Sequence, residues 1–124
     1  MTDEPEWSIV FYTDARGNQP LLDFLSNLDL RTQARFDWSL EQLQLRNIRA
    51  REPLVRHLEG RVWELRRKSS TNIYRLLYAV LSRRRILLLH GFQKKTQTTP
   101  RREIVTAIRR LEEFIAREGG EEGL

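Results

Sequence analysis

Residues 61–100 read RVWELRRK SSTN IYRLLYAVL SRRR ILLLHGF QKKTQTTP when divided at their turn signals. In RVWELRRK (61–68), Val62, Glu64 and Arg66 alternate with Trp63, Leu65 and Arg67, the period of a β-strand. SSTN (69–72) supplies turn residues, IYRLLYAVL (73–81) reads as a second strand, SRRR (82–85) as a charged turn and ILLLHGF (86–92) as a third strand. Three strands joined by short turns predict an antiparallel meander. The unbroken apolar run Ile86 to Leu89 fits a central strand covered on both faces, whereas the alternation in 61–68 fits an edge-type strand.

Working outward, WSIVFY (7–12) is aromatic and β-branched and is followed by Asp14, Gly17 and Asn18, which predicts a strand that ends in a turn. Asn18 and Pro20 then suit the start of a short helix over 19–27, with Leu21, Leu22, Leu25 and Leu28 at helical spacing. Asp29 caps a longer helix from 30 to about 47, whose apolar stripe is read as Ala34, Trp38 and Leu45, with Phe36, Leu40 and Leu43 filling in. After the third strand, Thr99 and Pro100 open a last helix. Its stripe of Ile104, Ala107, Ile108, Leu111 and Ile115 opposes Arg102, Arg109, Arg110 and Glu113, and Gly119 and Gly120 end it. Residues from about 118 to 124 are expected to be a frayed tail. Without repeats or a low-complexity linker, residues 1–124 are expected to form one α+β domain. Its antiparallel sheet should carry the two early helices on one face and leave part of the other face open for chemistry, with the C-terminal helix completing the order.

Composition narrows the chemistry. A chain of 124 residues with 40% hydrophobic content can close one core. With no Cys there are no thiolate ligands, and His57 and His90 are too few for an all-histidine metal site, so no metal or other cofactor is expected. No apolar run approaches the length of a membrane span, and MTDEPEW lacks the features of a signal peptide, so a cytoplasmic protein without a membrane partner is expected. The formal charge of +5 understates the basic character. Six acidic residues lie outside 7–117, and between 61 and 102 nine Arg and three Lys face a single acid, Glu64. Such a field attracts phosphate backbones, or alternatively an acidic protein.

Period-two geometry groups Glu64, Arg66, Arg75, His90, Phe92, Lys94 and Lys95 at one side and end of the sheet. No phosphate-binding loop, dinucleotide fingerprint, zinc-protease motif or nucleophile elbow is present. Cleavage of RNA through its own 2′-hydroxyl needs a base for that hydroxyl, cations for the phosphorane and an acid for the 5′-oxygen. Arg66, Arg75, Lys94 and Lys95 suit the phosphorane. A crowded Lys94 or Lys95 also suits proton transfer, as do Glu64 and His90, and Phe92 suits stacking on a base. Arg67, Lys68, Arg83, Arg84 and Arg85 are candidate RNA contacts. Each has a plainer reading: Glu64 paired with Arg66 or Arg75, His90 half-buried and satisfied, Phe92 in the core, and the turn arginines as a solvated charge run. His57 is read as structural.

The segments Val62–Arg66, Tyr74–Tyr78 and above all Ile86–Pro100 (ILLLHGFQKKTQTTP) resemble HigB-like, phage-type members of the RelE/ParE toxin superfamily. The resemblance extends from the first strand to the last helix, although the first 60 residues match in pattern more than in motif. It implies a RelE-like curved antiparallel sheet with packed helices, no cofactor, and a HigA-like helix-turn-helix antitoxin held in a hetero-oligomer. It also implies contacts with 16S rRNA and cleavage of messenger RNA in the ribosomal A site. The site residues it implies are Arg66, Arg75, Phe92, Lys94 and Lys95, with Glu64 and His90 less fixed. The superfamily also contains ParE-type gyrase inhibitors, and a non-catalytic nucleic-acid-binding module is a third possibility. The lysine pair beside His90 favours the ribonuclease, because a gyrase-binding surface needs no proton-transfer groups among clustered cations.

Overall fold

The computed structural model describes residues 7–46, 55–94 and 98–118. Its elements are β1 (Ser8–Phe11), α1 (Pro20–Ser26), α2 (Leu30–Arg46), β2 (Val55–Glu59), β3 (Val62–Ser69), β4 (Asn72–Leu81), β5 (Arg85–Lys94) and α3 (Arg101–Arg117). The expected meander is β3-β4-β5, antiparallel throughout. The sheet extends beyond it in the order β1-β5-β4-β3-β2. β1 pairs with β5 in parallel, so the sheet is mixed rather than wholly antiparallel. This parallel pairing is possible because the chain between the two strands crosses over through α1 and α2.

Reading the sequence missed β2. Val55-Arg56-His57-Leu58-Glu59 does not alternate, and the pairing with β3 shifts register between His57 and Glu59. Gly60, at φ +56, makes the turn into β3 in a conformation that glycine adopts at no steric cost.

Two apolar layers sandwich the sheet. On one face, Leu21 and Leu25 of α1 and Phe36, Leu40 and Leu43 of α2 bury Leu65, Leu76, Tyr78, Ile86 and Leu88. On the other, Ala107 and Leu111 of α3 bury Val62, Leu77, Ala79, Leu81, Leu87 and Leu89. The run from Ile86 to Leu89 is therefore apolar throughout because successive residues enter different cores. α3 covers much of the face that was expected to lie open, but it leaves Arg66 and Lys68 exposed on β3.

The helix ends follow their local chemistry. Pro20 occupies the first turn of α1, and the Asp14 side chain accepts from the backbone N–H groups of Arg16 and Asn18, organising the preceding turn. The cap position of α1 is Gln19, with no side-chain cap, rather than the expected Asn18. Asp29 accepts from the Thr32 N–H at 2.7 Å, as the capping expectation required. The buried stripe of α2 is Thr32, Phe36, Ser39, Leu40 and Leu43. Trp38 and Leu45, assigned to that stripe from sequence, are 50% and 59% exposed, and Ala34 is exposed with them. At 100° per residue the line Ala34, Trp38 and Leu45 lies nearly half a turn from the buried stripe, because large apolar residues outranked Thr32 and Ser39 in the reading.

Candidate active site

Strand pairing places the chemical groups in rows. Arg56, Glu64, Leu77 and His90 lie opposite one another across β2, β3, β4 and β5, and Arg66, Arg75 and Phe92 form the next row. Lys68, Ile73 and Lys94 form a third row on the same face. Neighbouring strands are about 4.8 Å apart, so these side chains make one patch.

A bulge brings β5 into that patch. Tyr78 pairs with Leu88 and Leu77 with His90, so Leu89 is an inserted residue. Before it, Leu87 faces α3 and Leu88 faces the other core. Beyond it the parity is reversed, and His90, Phe92 and Lys94 share the α3 face with Glu64 and Arg75. Without the bulge they would point at α1 and α2. Gly91 takes the α1 side instead, where an added Cβ would come within 2.5 Å of Leu21 and 2.8 Å of Phe24. The close approach of α1 to β5 thus requires glycine there.

At the centre, Glu64 is 1% exposed and Arg75 is 4% exposed. Arg75 Nη1 donates to Glu64 Oε1, the Thr99 hydroxyl donates to Oε2, and Arg56 Nη2 lies 3.2 Å from Oε1. Burial pulls the Arg75 guanidinium below its usual range, an effect that Glu64 partly offsets. The expected roles of Arg75 as a phosphate ligand and of Glu64 as a free acid or base are not available in this arrangement, because the two neutralise each other beneath Thr99. Arg75 Nε is buried without a hydrogen-bond partner.

His90 is likewise engaged. Its Nε2 lies 2.5 Å from Glu103 Oε1, and Arg110 Nη1 lies 3.3 Å from its Nδ1. Because a guanidinium only donates, Nδ1 accepts and Nε2 carries the hydrogen that bonds Glu103. Burial lowers the imidazole pKa more than Glu103 raises it, favouring this neutral form. Arg110 Nη1 also donates to the carbonyl of Leu89 at 2.8 Å, satisfying the bulge residue. His90 therefore anchors α3. Phe92, expected to stack on a base, is 7% exposed and lies against the His90 ring at 5.6 Å between centroids. As placed, it belongs to the core and offers no face to a base.

Lys94 is partly exposed at the end of β5. Its ammonium is pulled below the usual lysine range, first by desolvation and then by Arg75, Arg66 and Arg56, with Glu64 opposing. Arg66 and Lys68 are exposed on the same face, and Arg56 is half exposed. Lys95 lies outside the described residues.

The remaining cations expected to touch RNA do not join this patch. Arg67 projects to the opposite face, its guanidinium carbon 5.5 Å from the Trp38 ring centroid. Arg83, Arg84 and Arg85 lie at the other end of the ten-residue β5, about 30 Å from Lys94 along the strand. There Arg84 packs over Trp7 and Arg85 reaches Glu118. Arg83 and Arg84 both have positive φ, the backbone of a tight hairpin turn.

Arg56, Thr99, Glu103 and Arg110 were missed in the sequence. Arg56 sits on the unrecognised strand, and the other three depend on where α3 crosses the sheet. The signal for Arg56 was Gly60, whose turn folds 55–59 back beside 62–65. Among the described residues, no three His, Asp or Glu side chains converge as a metal site would require, and no helix is long and apolar enough to cross a membrane.

Among curated proteins, none matches the chain. A family model described as Phage derived protein Gp49-like (DUF891) matches residues 23–112, from within α1 through every strand of the patch and into α3. That match spans most of the chain, the bulged strand and both anchors of α3 included, and the chain belongs to this Gp49-like family of phage-derived, toxin-like proteins.

Proposed function

We propose that the protein is the toxin of a type II toxin–antitoxin pair, a HigB-like endoribonuclease that cleaves messenger RNA in the ribosomal A site and stops translation in the cytoplasm. The observation that carries this reading is Lys94, an accessible amine with a depressed pKa that shares a face with Arg56, Arg66 and Arg75. Desolvation and the neighbouring cations make loss of the Lys94 proton easier, while the neighbouring arginines remain charged.

In the proposed reaction, RNA lies along the open end of the sheet with the scissile phosphate against Arg66 and Lys68. The neutral Lys94 amine takes the proton of the 2′-hydroxyl. The O2′–P bond forms as the P–O5′ bond breaks, and the 5′-oxygen accepts a proton, which we assign to Lys95 from its adjacency in sequence. The products are a 2′,3′-cyclic phosphate and a 5′-hydroxyl. Arg66 and Arg56 stabilise the charge on the phosphorane, and the buried Glu64–Arg75 pair holds the strands that present them. His90 acts as a positioning residue by fixing α3 through Glu103 and Arg110. The ribosome presents the strand and supplies the 16S rRNA contacts, and a HigA-like helix-turn-helix antitoxin binds the toxin in a hetero-oligomer and silences it.

A second reading has its own support. Glu64, Arg75, His90 and Phe92 are all engaged within the fold, as they would be in a basic module that binds nucleic acid without cleaving it. Inducing the chain in cells and mapping messenger ends by primer extension separates the readings. The ribonuclease predicts cuts within A-site codons and growth arrest, both lost in Lys94→Ala. Arrest with intact messengers and stalled supercoiling would instead identify gyrase as the target, and uncut messengers without a gyrase effect would leave the binding module.

A further inference from the structure

The outer surface of α2 carries large apolar side chains that face away from both cores. At 100° per residue, Arg31, Ala34, Trp38, Glu41 and Leu45 lie within about 80° of arc, with the exposed Glu41 between Trp38 and Leu45, and Ala34 to Leu45 spans about 16 Å of helix. Trp38 and Leu45 are both at least half exposed, an uncommon use of two large apolar side chains on one helix face. Beside this face, Arg31, Ala34, Arg35, Trp38 and Arg67 line an open groove of about 520 Å³.

The charge of this groove is one-sided. Among the described residues, no carboxylate lies within ion-pair distance of Arg31, Arg35 or Arg67; Asp29 only shares the field of Arg31. Desolvation and the nearby Arg35 pull the Arg67 guanidinium below its usual range, and its Nε is buried without a hydrogen-bond partner. Apart from the Trp38 ring, Arg67 has no opposite charge against it, so an anion from outside would be favoured there. The apolar side chains of the face demand in addition an apolar surface of helical pitch, which a sugar-phosphate backbone does not present to Leu45.

We propose that the outer face of α2 is a docking site for an acidic amphipathic helix of a partner protein. Its apolar side chains would lie along Ala34, Trp38 and Leu45, its carboxylates would meet Arg31, Arg35 and Arg67, and an uncharged polar or basic residue would face Glu41. The site lies on the opposite sheet face from Lys94, so a partner held here leaves the basic patch uncovered and does not depend on the ribonuclease reading.

The test titrates the full-length protein with a synthetic helix bearing Leu on one face and Glu on the other. The same helix with Lys in place of Glu and a U-rich single-stranded RNA serve as comparisons. The indole N–H signals of the three tryptophans are followed by NMR, with Trp38 assigned from Trp38→Phe. The Glu helix should shift the Trp38 signal with an affinity that falls as salt rises. Arg35→Glu, at a partly exposed position, and Leu45→Ser, at an exposed one, both checked for folding by circular dichroism, should each weaken binding by roughly 10-fold, the scale of losing an interface anchor. Equal binding of the Lys helix, a Trp38 shift produced by RNA and not by the Glu helix, or no loss in either folded variant would overturn the proposal.

Discussion

Replacing Glu64 by Gln should cost more stability than replacing its partner Arg75 by Met, although both substitutions break the same ion pair. Glu64→Gln keeps the side-chain shape but takes from Arg75, 4% exposed, the carboxylate it pairs with, while its Nε already lacks a hydrogen-bond acceptor. Leaving a buried charge uncompensated costs about 3–5 kcal/mol. Arg75→Met leaves Glu64 with the Thr99 hydroxyl and with Arg56 at 3.2 Å, so its charge remains compensated and the loss should be about 1–3 kcal/mol. Since small domains are stable by only about 5–15 kcal/mol, the first substitution should remove a large share of the total. The double variant should be no less stable than Glu64→Gln alone, because the second substitution removes the charge that the first stranded. Urea denaturation followed by circular dichroism, with equal m values, measures all three. If Glu64→Gln costs under about 1 kcal/mol, or less than Arg75→Met, the assignment of a buried and mutually dependent pair is wrong.

Three further outcomes follow from individual contacts. Removing a cation near Lys94 by Arg66→Ala should raise the Lys94 pKa, so the rising limb of the cleavage rate against pH moves to higher pH; an unmoved limb would mean that Lys94 is not the base. His90 has its pKa lowered in the fold, so the unfolded chain binds more protons below about 6.5, and the stabilisation, complete above that pH, is lost as pH falls toward the folded value. Thermal melting of the native protein should show this decline and His90→Gln should flatten it, whereas parallel curves would contradict the assignment. Gly91→Ala forces a Cβ against Leu21 and Phe24 and should cost about 1–3 kcal/mol in urea titration, since the neighbours must move.

The fold was legible where period and punctuation agreed. SSTN and SRRR marked the turns between β3, β4 and β5, Asp29 marked the start of α2, and the spacing of Ala107 and Leu111 marked the core face of α3. β2 was hidden because its register shift breaks the alternation. The phase of α2 was misread because Thr32 and Ser39 are buried through hydrogen bonds, Thr32 Oγ1 to Ser69 Oγ and Ser39 Oγ to the Arg35 carbonyl, while Trp38 stays outside. Hydrophobicity alone ranks those residues the other way.

The sequence grouped Glu64, Arg66, Arg75, His90, Phe92 and Lys94, which the strand register does place on one face, yet the geometry there depends on features that pattern does not encode. Leu89 looks like any other residue of an apolar strand, but its insertion is what turns His90, Phe92 and Lys94 toward Glu64. The burial of Arg75 and Phe92 follows from α3 crossing the sheet, a tertiary choice fixed by Thr99, Glu103 and Arg110 acting together. What the sequence marked as one group is divided by that helix into a buried Glu64–Arg75 pair that organises the strands and an open set of cations, Arg66, Lys68 and Lys94, at the end of the sheet.

The central claim is that Lys94 moves a proton on RNA held at the open end of this sheet. It is tested most directly with purified protein on ribosomes carrying a defined messenger, by determining the ends produced by the native protein and by Lys94→Arg, which keeps the positive charge but cannot give up its proton. The account predicts A-site cleavage to a 2′,3′-cyclic phosphate and a 5′-hydroxyl by the native protein and none by the variant. An intact messenger with the native protein, or equal cleavage by Lys94→Arg, would contradict it.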